Sequence, residues 1–149
     1  GYEANGGFLL GFAARGLSPL MTRDSVLPLV VPLIAAGEGR LAMLVAGQPA
    51  RFTAADRLQE VPTEWSLALV ASLRDDADRR ADFLAGFGSD AVAVDETDGL
   101  RMTLADGRIV HLRPSGNAPE CRFYAEAGSV DAAQDTLALG LGVLGKALR

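Results

Sequence analysis

A chain of 149 residues, 49% apolar and 22% charged, has ample material for a hydrophobic core and none of the polar bias of a disordered segment. Its net charge of −5 and pI near 4.8 argue against a nucleic-acid partner, because neutralising a phosphate backbone takes a clustered basic face that the sequence lacks. One cysteine, Cys121, excludes an internal disulfide, and one histidine, His111, leaves too few soft ligands for a structural zinc site, so a cytoplasmic setting is expected.

Gly1-Tyr2 opens the chain without an initiator Met, a basic region or a signal-peptide core, which points to a piece of a longer protein. Glu3 to Gly7 reads as a glycine-rich loop that enters a short buried strand, Phe8 to Phe12. Ser18-Pro19 marks a break, after which Thr22 or Asp24 can cap a helix carrying Val26, Leu27, Leu29, Val30, Leu33 and Ile34. Pro32 should bend that helix by removing an N–H and crowding the preceding turn. The uncharged run Ser25 to Gly37 is well short of the roughly 20 residues a spanning helix needs, so no membrane partner is expected. Gly37-Glu38-Gly39 ends this element, Arg40 to Ala46 reads as a second short helix, and Gly47-Gln48-Pro49 is the best linker in the chain. Residues 1–48 and 49–149 are therefore read as separate domains.

The second region begins with an extended segment within Arg51 to Glu60, and Thr63 offers a helix start for Trp65, Leu67, Leu69, Val70 and Leu73. Asp75 to Arg80 is a charged stretch, read as a solvated helical face or loop. Ala91 to Asp95 leads into Leu100 to Leu104, which alternates with period two, and Asp106-Gly107 is a hairpin signal before Arg108 to Leu112. A strand from Cys121 to Ala127 returns, and Val130 to Leu148 makes a final helix despite Gly140, Gly142 and Gly145. Each of those glycines costs about 1 kcal/mol of helix propensity relative to Ala, so close packing on the sheet should account for them. The order implies an α+β fold: an antiparallel sheet of about four strands with helices on one face, preceded by the closing portion of an α/β domain.

Between the last two strands lies Arg113-Pro114-Ser115-Gly116-Asn117-Ala118-Pro119. Arg113 offers a planar fork of charge-assisted donors, Ser115 and Asn117 add short donors, and Gly116 lets backbone N–H groups approach an anion without a Cβ in the way. Two prolines stiffen the shoulders and reduce the entropy lost on binding. The same residues also suit an ordinary polar hairpin turn. Alternation places His111 on the side of Arg113, and Arg122 on the returning strand comes near the loop. A structural pairing of Arg122 with Glu120 or Glu126 is the competing reading.

Two separated motifs carry a family resemblance. Glu3-Ala4-Asn5-Gly6-Gly7, followed by Phe8-Leu9-Leu10-Gly11, resembles the sugar-binding loop in the third domain of the α-D-phosphohexomutases. Arg113 to Pro119, with Glu120-Cys121-Arg122-Phe123-Tyr124-Ala125-Glu126 after it, resembles that family's fourth-domain phosphate-binding loop. Together they extend the resemblance over nearly the whole chain. Asn5 and the Arg-Pro-Ser-Gly-Asn-Ala-Pro form look most like the bacterial phosphomannomutase branch.

The resemblance implies a four-domain enzyme that moves a phosphoryl group between C1 and C6 of a hexose phosphate, through a phosphoserine and a bisphosphorylated sugar. It implies Mg²⁺ bound by an aspartate-rich loop of an upstream domain; neither that loop nor the serine context occurs in this sequence. No catalytic residue or cofactor is therefore assigned here. Glu3 and Asn5 would hold sugar hydroxyls, and Arg113, Ser115, Gly116 and Asn117, with Arg122, would grip the phosphate that is not reacting. Asn5 stands where many members have Ser and Gly7 where several have His, which bears on hydroxyl preference. The expected partners are a hexose phosphate and the upstream domains of the same chain. Phosphoglucomutase, phosphoglucosamine mutase, a non-catalytic phosphosugar-binding module and a purely structural domain are the alternatives. The apolar helix faces of residues 8–46, without their sheet, would need cover from elsewhere.

Overall fold

The computed structural model describes residues 7–149. They form two compact units, divided between Pro49 and Ala50. Among the described residues no helix is long and apolar enough to cross a membrane.

In the first unit, β1 (Phe8–Leu10) pairs antiparallel with β2 (Leu20–Asp24). The connection tightens at Ala14 and Leu17, whose backbones exchange hydrogen bonds of 3.1 and 2.9 Å. Arg15 and Gly16 between them both have positive φ, at 47° and 83°, the backbone twist that two-residue hairpin turns favour. The segment after Ser18-Pro19 is thus a strand, where a break leading directly to a helix cap was expected; Leu20-Met21-Thr22-Arg23-Asp24 has no alternation and is extended only because β1 pairs with it. Asp24 does cap α1 (Val26–Ala36), accepting from the Val26 N–H at 2.8 Å and the Leu27 N–H at 3.2 Å. α1 runs through Pro32 and contains no buried residue, and α2 (Leu41–Ala46) follows.

The second unit contains β3 (Phe52–Gln59), α3 (Thr63–Asp75), α4 (Ala77–Ala85), β4 (Ala91–Asp95), β5 (Leu100–Leu104), β6 (Ile109–Pro114), β7 (Glu120–Ala127) and α5 (Val130–Ala147). The strands form one sheet of order β3-β7-β6-β5-β4 with every neighbouring pair antiparallel. This is an α+β fold. It has five strands instead of about four, because the whole of β3 pairs with the full length of β7. The charged stretch at Asp75 to Arg80 is a helix boundary, where Asp76 accepts from the Asp78 and Arg79 N–H groups to start α4.

Alternation divides the sheet into two faces. Leu100, Met102, Leu104, Val110, Leu112, Cys121, Phe123 and Ala125 are all buried with Leu73, Phe83, Leu84, Phe87 and Leu144 of the helical layer. α5 packs across β3 and β7, and α3 lies against β6 and β7 beside α4. α3 turns Leu73 inward with the small Ser66, while Trp65 and Leu67, expected on its apolar face, are both 54% exposed. Arg101, His111, Arg113, Arg122, Tyr124 and Glu126 take the opposite, half-open face.

The helical glycines do not share one cause. A Cβ on Gly140 would sit 2.2 Å from carbons of the buried Phe123 ring, whereas one on Gly142 would meet nothing within 4 Å. At Gly145 the nearest atom, Leu58 Cδ1, is at an ordinary 3.7 Å. Close packing therefore explains Gly140 alone. Gly140→Ala is expected to destabilise the chain by about 1–3 kcal/mol through overpacking, and the exposed Gly142→Ala to stabilise it by up to about 1 kcal/mol. Urea unfolding of both variants checks the pair, and equal effects would contradict this packing account.

Candidate functional site

The sheet register builds the candidate site. Arg113 on β6 faces Arg122 on β7, and Arg122 faces Arg57 on β3, so three guanidinium-bearing residues stand in one row on the open face. Like charges directly opposite each other destabilise a sheet unless they are compensated. Two carboxylates compensate. Glu120 is largely buried, with its side chain 12% exposed; it accepts from Arg122 Nε at 2.9 Å and Nη2 at 2.8 Å through one oxygen, and pairs with Arg57 Nε at 3.2 Å through the other. Asp98, on the turn between β4 and β5, accepts from Arg113 Nε at 2.9 Å. These bonds hold the Arg113 and Arg122 pKa values above the ordinary arginine value, Asp98 and Glu120 respectively being the larger cause and the Tyr124 phenol a further one in each case. Both guanidiniums are therefore permanent cations.

The loop itself, Ser115 to Pro119, joins β6 and β7. Its ends are tied. The Ser115 N–H donates to the Glu120 carbonyl at 3.1 Å, and the Glu120 N–H to the Ala118 carbonyl at 2.8 Å. Just before α3 the Val61 N–H donates to the Pro119 carbonyl at 3.0 Å, and at its first residue the Thr63 hydroxyl donates to the Ser115 carbonyl at 3.5 Å. Thr63 thus braces the loop and does not cap its helix, whose cap position is Pro62. Ser115 is buried, and its oxygen accepts from the Asn117 N–H at 3.4 Å. The tip is open. Among the described residues no hydrogen bond uses the Gly116 N–H, the Ala118 N–H or the Asn117 side-chain amide. A Cβ on Gly116 would project into empty space.

The sequence-derived residues are thus gathered unevenly. Arg113, Ser115, Gly116, Asn117 and Arg122 lie at one end of the sheet, but Arg113 turns to Asp98 and makes no hydrogen bond to Ser115 or Asn117 among the described residues. Arg122 makes the pairing with Glu120 that was the competing reading. His111 shares the face of Arg113, stacks on Tyr124 at 5.3 Å and donates from Nε2 to the Asp98 carbonyl. Glu3 and Asn5 lie outside the described residues. Sequence reasoning passed over Asp98, Tyr124 and Arg57. Period-two spacing along Glu120-Arg122-Tyr124 could have found Tyr124; nothing local marks Asp98 or Arg57. The described residues include no group of three or more His, Cys, Asp or Glu side chains able to hold a metal ion.

Residues 55–138 match the family model described as "Phosphoglucomutase/phosphomannomutase, C-terminal domain". The chain belongs to the phosphoglucomutase/phosphomannomutase family. The matched stretch lies within the second unit and includes the arginine row and the loop. A phosphomannomutase of Sinorhizobium fredii is 42% identical over 154 aligned residues, covering 99% of this chain and 32% of the relative. A phosphomannomutase of Salmonella muenchen is 43% identical over 137, covering 87% of this chain and 28% of the relative. The chain therefore spans about a third of the length of the curated phosphomannomutases it matches.

The balance of the row is testable within this family domain. Glu120→Gln leaves Arg57 and Arg122 opposed without a counter-charge; since the guanidiniums are 38–53% exposed, the expected loss of stability is about 1–2 kcal/mol. Screening at about 1 M salt should shrink that loss. Denaturant unfolding at low and high salt reads both quantities, and a loss independent of salt would contradict the electrostatic account.

Proposed function

We propose that this chain is the C-terminal part of a phosphomannomutase, an enzyme that interconverts hexose 6-phosphate and hexose 1-phosphate through a phosphoserine and a bisphosphorylated sugar. Residues 49–149, which contain the second unit, are its phosphate-binding domain, and residues 1–48 close the sugar-binding domain before it. The names of the two relatives support the activity. The observation that carries the site is the loop tip: two backbone N–H groups and an amide without partners among the described residues, held on a turn that is tied at both ends and flanked by permanent cations. Unused donors on a braced turn suit an anion, because their orientation is paid in advance by folding.

In this reading Arg113 and the Gly116, Ala118 and Asn117 donors grip the phosphate at the end of the sugar that is not reacting, with Ser115 shaping the turn and Arg122 adding charge. Glu3 and Asn5 hold the hydroxyls. Such a grip orients the substrate and moves no proton, so either phosphate end of the hexose can use it. When bound, Mg²⁺ would assist phosphoryl transfer from the upstream part of the enzyme. By itself the chain would be inactive. A cytoplasmic setting belongs to the same reading, supported by the lone buried cysteine.

Arg113→Ala in the intact enzyme is expected to lower kcat/KM about 100-fold for both mannose 1-phosphate and glucose 1-phosphate, the loss of two charge-assisted bonds. Arg113→Lys should recover only part, since an ammonium cannot reproduce the fork. Steady-state kinetics on both sugars check this, and unchanged kcat/KM would remove the assignment.

A further inference from the structure

We propose that Asp98 is a positioning residue for phosphate recognition: it fixes the Arg113 guanidinium so that its terminal amino groups are presented to the anion. The inference rests on the phosphate reading of the Arg113 loop and adds a residue from a turn that is distant in sequence and carries no anion-binding chemistry of its own. Asp98 takes the Nε–H of Arg113 at 2.9 Å. That bond uses the inner edge of the guanidinium and leaves the outer pair of nitrogens, the edge suited to two phosphate oxygens.

The carboxylate is delivered by a turn that is itself held in place. Asp95 Oδ1 accepts from the Thr97 N–H at 2.8 Å and shapes the turn, and its own carboxyl is pushed below the usual range chiefly by that backbone bond. The backbone carbonyl of Asp98 accepts from His111 Nε2, so the residue is bound to β6 through its main chain as well as its side chain. Next to it, Gly99 adopts φ 86°, and a Cβ there would lie 2.3 Å from the Leu112 carbonyl oxygen. Only glycine permits so close an approach of the turn to β6. His111 stacks on Tyr124, whose phenol in turn stabilises the charged form of Arg113. A bond from a turn docked this closely restricts a guanidinium that is otherwise 38% exposed and would sample many rotamers.

The test is a double-mutant cycle in the intact enzyme, assayed with mannose 1-phosphate. Asp98→Ala should lower kcat/KM about tenfold, mostly through KM, with little change in thermal stability because the carboxylate is 62% exposed. Asp98→Asn keeps a carbonyl acceptor for Nε–H and should restore most of the loss. In the Arg113→Ala background, Asp98→Ala should cost nothing further. Unchanged or improved kcat/KM in Asp98→Ala would overturn the proposal, showing a carboxylate that is neutral or competes with phosphate; so would a full loss that persists without Arg113. If Arg113→Ala itself is silent, the phosphate reading has failed. If Arg113→Ala is crippled while Asp98→Ala is not, only the positioning role has.

Discussion

The row Arg113, Arg122 and Arg57 exists because β6, β7 and β3 pair in one register, and that register is enforced from the other side of the sheet. Leu112, Cys121 and Phe123 are fully buried in alternation with the row's arginines. A slip of one residue would carry guanidiniums into the core and leucine and phenylalanine into solvent, an exchange the fold cannot tolerate. Hydrophobic burial thus decides where the charges stand. The charges then impose their own requirement, and Glu120 and Asp98 meet it.

The loop is braced from outside its own hairpin. Bonds from Val61 and Thr63 tie it to the start of α3, and α3 is anchored by Leu73 in the same core that sets the register. Sheet, helix and loop are one mechanical unit. Among the described residues, the donors of its polar tip have no partners, while the flanking arginines have partly met their needs with carboxylates. The tip therefore combines backbone donors on a tied turn with cations whose orientation is already restricted. At Gly116 the protein leaves room for a side chain, so packing within the domain does not itself require a glycine there.

The first unit shows where local reading stops. β1 and the Asp24 cap were legible because an apolar run and a capping carboxylate are local signals. β2 was not, since its residues do not alternate, and its pairing is with β1, ten or more positions away in the chain. Arg15 with φ 47° escaped for a similar reason, the hairpin geometry overriding its preference. In the second unit the same contrast separates β5, whose alternation is plain, from β3, which is an edge strand whose extent is defined by β7.

By itself the sequence determined the strand alternation, the Asp-Gly hairpin, the long final helix and the donor-rich loop, since each follows from neighbours within a few positions and from the steric rules of the backbone. Only tertiary structure decided which carboxylate meets which arginine, which of three helical glycines touches the core, and that Thr63 braces a loop and leaves its own helix uncapped. Those choices join residues far apart in the chain, such as Asp98 to Arg113 and Gly140 to Phe123. They depend on strand register and helix placement, and these are set by the sum of buried contacts over the whole domain and by no single segment.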